Sequence, residues 1–269
     1  MTSRAVVLAR GLGTRMRVAD PAARLTTDQM RAADAGLKPM IPINGRPFLD
    51  YVLSSLADAG VTDVALIVAP DHDQMRSYYR VDAPPSRVDV SFVVQAEALG
   101  TANAILAAEE WSAGRPFLAM NADNLYPAPA LRDLTAIDEP GLPVFERGDL
   151  IASSNIPAAR IRSFAIVQVD AAGYLTGIVE KPAAAPDDDE HHVFISMNCW
   201  RFDARIFGAC RDVPRSARGE FELPEAVALG VRRGLPFRTL RARGPVLDLS
   251  TRADMTEVAQ RLSTAEPRP

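Results

Sequence analysis

The chain has 269 residues, 48% hydrophobic and 24% charged, with a formal net charge of -4 and a pI of about 5.5. That composition is globular and long enough for one large α/β domain or two small ones, and its charge balance excludes a global basic field that would draw the protein onto nucleic acid or an anionic membrane. No run approaches the roughly 18 apolar residues of a spanning helix, no signal-type segment opens the chain, and Cys199 and Cys210 lack metal spacing, so a cytoplasmic protein with idle thiols is expected.

In chain order, RAVVLA (4–9) is a β-branched, apolar run closed by glycine, the pattern of a buried parallel strand. Residues 27–35 have helical spacing, and Pro47 opens a helix that Gly60 stops. A strand over 63–69, a helix over 71–80, a strand over 87–95, a helix over 101–111 and a strand over 116–123 follow. This alternation predicts a doubly wound, mostly parallel sheet with its ligands beyond the carboxyl ends of the strands. That rule singles out 10–15, Gln95 and 121–124.

The second half changes character. FAIVQVD, a DAAG turn and YLTGIVEKP read as an antiparallel hairpin, followed by one strand over 193–203. Helices are expected over 204–210, 223–234 and 251–262, with a short strand over 245–249. The run Asp187–Glu190, followed by His191 and His192, reads as a solvated loop rather than a metal site. No hard domain boundary is visible; a soft division near Pro140 separates a nucleotide-side half (1–140) from a sugar-side half (141–269) of one domain.

The turn after the first strand, Gly11-Leu-Gly13-Thr14-Arg15, carries the first chemistry. Glycines allow close backbone approach, successive N–H groups form an anion nest, and arginine offers a fork for phosphate oxygens. A dinucleotide loop fits poorly, because its third glycine would fall at Met16, and the G-K-[ST] of a Walker loop is absent.

Further segments follow in order: Lys38-Pro-Met, Gln95 through Gly100-Thr-Ala, Asn121-Ala-Asp123-Asn-Leu, Glu180-Lys181-Pro, and Asp248-Leu-Ser-Thr251. On these residues the chain resembles the sugar-1-phosphate nucleotidyltransferases, or nucleoside-diphosphate-sugar pyrophosphorylases, over about residues 4 to 260. The resemblance implies an α/β nucleotide-diphospho-sugar transferase (Rossmann-like) fold: a mixed, mostly parallel sheet flanked by helices, with a smaller antiparallel sugar-binding part. It also implies the reaction of an NTP with a sugar 1-phosphate to give an NDP-sugar and pyrophosphate. By the same resemblance Gly11, Gly13, Thr14 and Arg15 hold the triphosphate, and Gln95 and Gly100 read the base edge. Asp123 and Asp248 hold Mg²⁺, Glu180 accepts sugar hydroxyls, and Lys38 and Lys181 neutralise the reacting phosphates. Asn121 and Asn198 are further sugar-side candidates.

The residue types suit the chemistry. A sugar phosphate is already a nucleophile, so the task is to position two polyanions and neutralise their charge. Gln95 favours UTP or dTTP through an imide edge, while "ARG" before the loop keeps a cytidylyltransferase open. A catalytically silent regulatory homologue and a glycosyltransferase are the other readings, the latter lacking the first acid of D-x-D at Asn121. A homo-oligomer is compatible with the sequence.

Four departures from the family pattern stand out. The stretch 16–37 before Lys38 is longer than the family pattern, and the added length, with helical spacing over 27–35, reads as a lid or an added sugar-site wall and puts the role of Lys38 in question. Ala165 and Asn198 stand where relatives have glycine, and Arg10 stands where they have a small residue. Arg10 has three candidate partners: the triphosphate, the insertion or an acidic sugar. For Asn198 the choice is between a sugar hydroxyl and strand-end backbone.

Overall fold

The computed structural model describes residues 1–21, 23, 25–162, 164–179 and 193–269. The N-terminal apolar run forms β1 (Arg4–Leu8). Val6 and Val7 are both fully buried, in two different clusters of core side chains. Both faces of the strand are therefore covered, as a continuous apolar run requires.

A single turn of helix, α1 (Thr14–Arg17), precedes α2 (Thr27–Ala35). Thr26 and Gln29 cap the start of α2 reciprocally, and Gly36, at φ 74°, ends it. A 3-10 turn at Lys38–Met40 leads into the hairpin β2 (Pro42–Ile43) and β3 (Arg46–Pro47) and the helix α3 (Phe48–Asp58). Next come β4 (Asp63–Val68), α4 (Asp73–Ser77), β5 (Asp89–Val94), α5 (Thr101–Ala107), α6 (Glu109–Ser112) and β6 (Phe117–Asn121). The helix expected over 71–80 changes at Tyr78 into a π turn, Tyr78–Asp82, and the one expected over 101–111 divides at Ala108.

The chain continues through β7 (Asn124–Leu125), α7 (Ala128–Ala136), β8 (Gly141–Glu146), α8 (Arg147–Ser153) and α9 (Ala158–Ile161). The expected hairpin is β9 (Ala165–Val169) with β10 (Leu175–Val179). Then follow β11 (Phe194–Ser196), β12 (Cys199–Phe202), α10 (Ile206–Asp212), α11 (Leu223–Arg232), β13 (Arg238–Ala242), β14 (Leu247–Asp248) and α12 (Asp254–Arg261).

The main sheet runs β10-β9-β11-β8-β12-β6-β1-β4-β5, with β13 also on β8. Strands β6, β1, β4 and β5 are parallel. From β12 to β10 the neighbours are antiparallel, and β13 joins β8 in parallel. The strand expected over 193–203 breaks at Asn198, whose φ is 57°. On one side β8 pairs with β11 from Val144 onward and with β12 at Gly141. Pro143, which has no N–H to give, thus lies opposite the break.

Among the described residues no helix is long and apolar enough to cross a membrane. Both cysteines are free and buried. Burial pushes both thiols up, Cys210 to about 12, so thiolate chemistry is suppressed at each.

Candidate active site

The carboxyl ends of β1, β4, β5 and β6 open onto a cleft of 380 Å³, where a parallel sheet presents a ligand site. Gly11 and Thr14 line it, and a Cβ added to Gly11 would meet nothing within 4 Å. Gly13 serves a different purpose. Its φ is 61°, and a Cβ there would lie 2.5 Å from the Gly36 carbonyl oxygen. The loop and the end of the insertion therefore pack backbone to backbone.

Arg17 Nη2 donates to the Ala35 carbonyl at 2.9 Å. Arg252 Nε donates to the Met16 carbonyl at 2.9 Å, and its Nη2 reaches Asp34 at 2.5 Å. The insertion braces the loop through these contacts. Arg15 projects from α1 into solvent and, among the described residues, has no hydrogen-bond or ion-pair partner.

Despite the insertion, Lys38 stands on the cleft wall with Nζ 3.0 Å from Asp123 Oδ2. Asp123 follows β6, and its carbonyl accepts from Leu249 N at 2.9 Å. Asp248 arrives from the other end of the sequence because β14 pairs antiparallel with β7, Asp248 opposite Asn124. Asn155 clamps its backbone, donating to the carbonyl and accepting from the N–H, both at 2.8 Å. Oδ1 accepts from Asn124 Nδ2 at 3.1 Å and Ser250 Oγ at 3.0 Å. Among the described residues Oδ2 is buried with no hydrogen bond, 3.3 Å from Arg160 Nη2.

Burial, and then the charge of Asp123, push the Asp248 carboxyl up to about 6 against the pull of Arg160. Asp248 does not cap the last helix, whose N-terminus carries no side-chain cap among the described residues. Asp254 Oδ2 accepts from the N–H groups of Ser250 and Thr251 at 3.0 and 2.7 Å.

Gln95 is buried at the end of β5. Its Nε2 donates to the Gly100 carbonyl at 3.0 Å and to Asn103 Oδ1 at 2.8 Å. A carbonyl can only accept, so the carboxamide orientation is fixed, and among the described residues nothing donates to Oε1. Gly100, at φ 107° with its Cβ position 2.5 Å from the Phe221 carbonyl oxygen, shapes this turn. Asn121 lines the same cleft, its Nδ2 3.4 Å from Asn124 Oδ1. Asn198 holds its left-handed turn, and among the described residues its Oδ1 is buried without a hydrogen-bond partner, strand-end backbone included. Glu180 and Lys181 lie outside the described residues.

Arg10, singled out by the sequence, and Glu220 stand on the cleft wall, and Asn155 and Arg160 lie at Asp248. Asn155 and Arg160 reach the site through a partner far away in sequence.

A UTP–glucose-1-phosphate uridylyltransferase, AglF, of Haloferax volcanii is 28% identical over 259 residues, covering 96% of each chain. A glucose-1-phosphate thymidylyltransferase of an Actinoplanes species is 27% identical over 93% of this chain and 75% of its own. A UDP-glucose pyrophosphorylase solved with UDP-glucose superposes with a TM-score of 0.75 at 15% identity, covering 99% of this chain and 100% of that one. A UTP-bound enzyme of Acinetobacter baumannii gives 0.75 at 18% identity over 99% and 96%. Residues 4–264 match the model of a family described as nucleotidyl transferase, and to that family this chain belongs.

Proposed function

We propose that the protein joins a nucleoside triphosphate, UTP or dTTP in preference, to a sugar 1-phosphate, releasing pyrophosphate and an NDP-sugar. The observation that carries this reading is the meeting of Lys38, Asp123 and Asp248 beside the glycine loop. Those side chains suit a reaction between two polyanions that needs no general base.

The sugar phosphate oxygen attacks the α-phosphorus in line, and pyrophosphate leaves. Gly11 and Thr14 bound the triphosphate, and Arg15, exposed with its donors uncommitted among the described residues, draws off the leaving group. Lys38 serves the reacting phosphates. The donor set fits Mg²⁺. Among the described residues no three His, Cys, Asp or Glu side chains gather into a cage, while Asp248 Oδ2 is a buried carboxylate oxygen without a hydrogen bond. A hard cation that takes one or two carboxylates and completes its shell with phosphates and water suits such a pair. Asp123 and Asp248 would hold the ion, which when bound supplies positive charge to the reacting phosphate oxygens.

The base preference rests on Gln95. With both Nε2 hydrogens engaged, the amide oxygen is left as an acceptor, suited to the N–H of a uracil or thymine imide and not to the bare ring nitrogen of cytosine. On the sugar side, Glu180 and Lys181 are assigned by motif, and Asn198 Oδ1 offers an acceptor to a hydroxyl.

Pyrophosphate release, measured with each of UTP, dTTP, CTP, ATP and GTP against a panel of hexose, heptose and amino-sugar phosphates, tests the reading. Turnover with UTP or dTTP supports it. Silence across the panel by a protein that still melts cooperatively would overturn it.

A further inference from the structure

Among the described residues, two donors of Arg10 go not to the insertion but to the turn after β5. Nε donates to the Gln95 carbonyl at 2.7 Å and Nη2 to the Ala96 carbonyl at 3.1 Å. Arg10 leaves the end of β1, while Gln95 and Ala96 leave the end of β5, and β4 lies between the two strands. Neighbouring strands are about 4.8 Å apart, so the side chain spans roughly two strand spacings.

β5 is an edge strand. Its last tie to the sheet is Gln95 N donating to the Val68 carbonyl at 3.0 Å. Beyond that point the carbonyls of Gln95 and Ala96 have no neighbouring strand to supply N–H groups. A long side chain ending in a fork of donors meets the need, and a lysine, with one point of charge, meets it less well. The end of β4 is closed in the same manner, by Arg76 donating to the Ala69 and Pro70 carbonyls at 2.9 and 3.0 Å.

We propose that Arg10 is a positioning residue for base selection: it ties the turn carrying Gln95 to the phosphate loop, so that the Gln95 amide oxygen is aimed before the nucleotide arrives. This rests on the reading of Gln95 given above. The turn between Gln95 and Gly100 closes through Gln95 Nε2 and the Gly100 carbonyl. Its far end is pinned where Ala102 N donates to the Phe221 carbonyl at 2.9 Å. The near end depends on the β4 contact and on Arg10. Because Arg10 lies two residues past β1 and directly before Gly11, any motion of that near end is referred to the triphosphate, and base and phosphates are read in one frame.

The experiment compares the parent with Arg10→Met, Arg10→Lys and Gln95→Leu. For each, steady-state constants are measured with UTP and CTP in the forward direction and pyrophosphate in the reverse, and amide hydrogen exchange over 95–100 is followed in the nucleotide-free protein. Arg10→Met is expected to raise the UTP KM about tenfold, as loss of two charge-assisted hydrogen bonds to the turn allows. Its kcat should stay within about twofold and its UTP-over-CTP preference should fall, with exchange faster over 96–100. Arg10→Lys should lie between it and the parent. The KM for pyrophosphate should not move.

If Gln95→Leu keeps the parental preference, the base reading itself fails. If Gln95→Leu loses the preference while Arg10→Met keeps it, the positioning role is overturned. An Arg10→Met that weakens UTP, CTP and pyrophosphate by one common factor would also overturn it, because that is the mark of a direct phosphate contact. Should Arg10→Met not fold, Arg10→Lys carries the same comparison.

Discussion

Gly11 and Gly13 look equivalent in the motif, yet replacing each by alanine should do opposite things. Gly13 has φ 61° and ψ 24°, and a left-handed alanine costs about 1 kcal/mol or somewhat more. Its new Cβ would stand 2.5, 2.7 and 2.9 Å from the O, Cα and C atoms of Gly36. These are backbone atoms that cannot swing away, and overpacking of this kind costs about 1–3 kcal/mol. The sum is about 2–4 kcal/mol, which at about 2–4 °C per kcal/mol for a chain of this size lowers Tm by about 4–16 °C. Gly11 is not left-handed, and its Cβ meets nothing within 4 Å. Gly11→Ala should melt within about 2 °C of the parent, the usual range for an unstrained surface change, yet raise the KM for the nucleotide, because the residue lines the cleft. Calorimetry on both variants beside initial rates at graded UTP decides the matter. A Gly13→Ala protein that melts like the parent, or a Gly11→Ala protein that melts lower, would refute the claim that Gly13 is glycine because of Gly36.

Asp123→Asn should reduce pyrophosphate release at least about 10²-fold through loss of a principal electrostatic stabiliser, with Tm nearly unchanged; near-parental turnover at saturating Mg²⁺ would remove Asp123 from the site. Arg160 donates to both oxygens of Asp254 at 2.9 and 3.1 Å and lies 3.3 Å from Asp248. Arg160→Met strands two buried carboxylates and should cost about 3–5 kcal/mol, read from the urea midpoint; an unmoved midpoint contradicts it. Asp50 is fully buried and accepts from Tyr78 at 3.0 Å, Tyr79 at 2.8 Å and Arg46 at 2.7 Å. Burial and then the charge of Asp50 raise the Tyr78 hydroxyl to about 12. Removing that charge favours the phenolate, so in Asp50→Asn the Tyr78 midpoint in an ultraviolet titration should fall toward the ordinary tyrosine value, and one that stays or rises counts against the assignment.

What could be read from sequence was local. β1 and the turn after it announce themselves because a doubly buried strand and a glycine loop depend on neighbours within a few residues. The helix α2 carried its own capping box and glycine stop. The elements that went unread carry residues that argue against them. β8 holds Pro143, and its place in the sheet is intelligible only beside the break at Asn198, which is a fact about a partner strand. β13, with the sequence RTLRA, is a half-buried polar strand whose identity comes from lying along β8. The pairing of Asp123 with Asp248 hangs on the register of β7 and β14, which no motif spacing encodes. Lys38 was in question because spacing was used as a proxy for distance, and an insertion that folds back on itself breaks that proxy.

That folding back also bears on catalysis. The segment from Asp248 to Asp254 carries the carboxylate proposed to hold the metal, closes on itself through Asp254, and sends Arg252 to the Met16 carbonyl and to Asp34. The glycine loop is thus hydrogen-bonded at Met16 to the segment that holds Asp248, and Gly13 packs it against Gly36 of the insertion. Electrostatic stabilisation of a phosphoryl transition state works when the charges are in place beforehand and need not reorganise as the reaction proceeds. A glycine loop is the part of such a site most free to move. A loop braced on one side by Gly36 and Arg17, on another by Arg252, and joined to the Gln95 turn by Arg10 has little of that freedom left. On this argument the insertion braces the loop, with Gly36 packed against Gly13 and Arg17 reaching the Ala35 carbonyl.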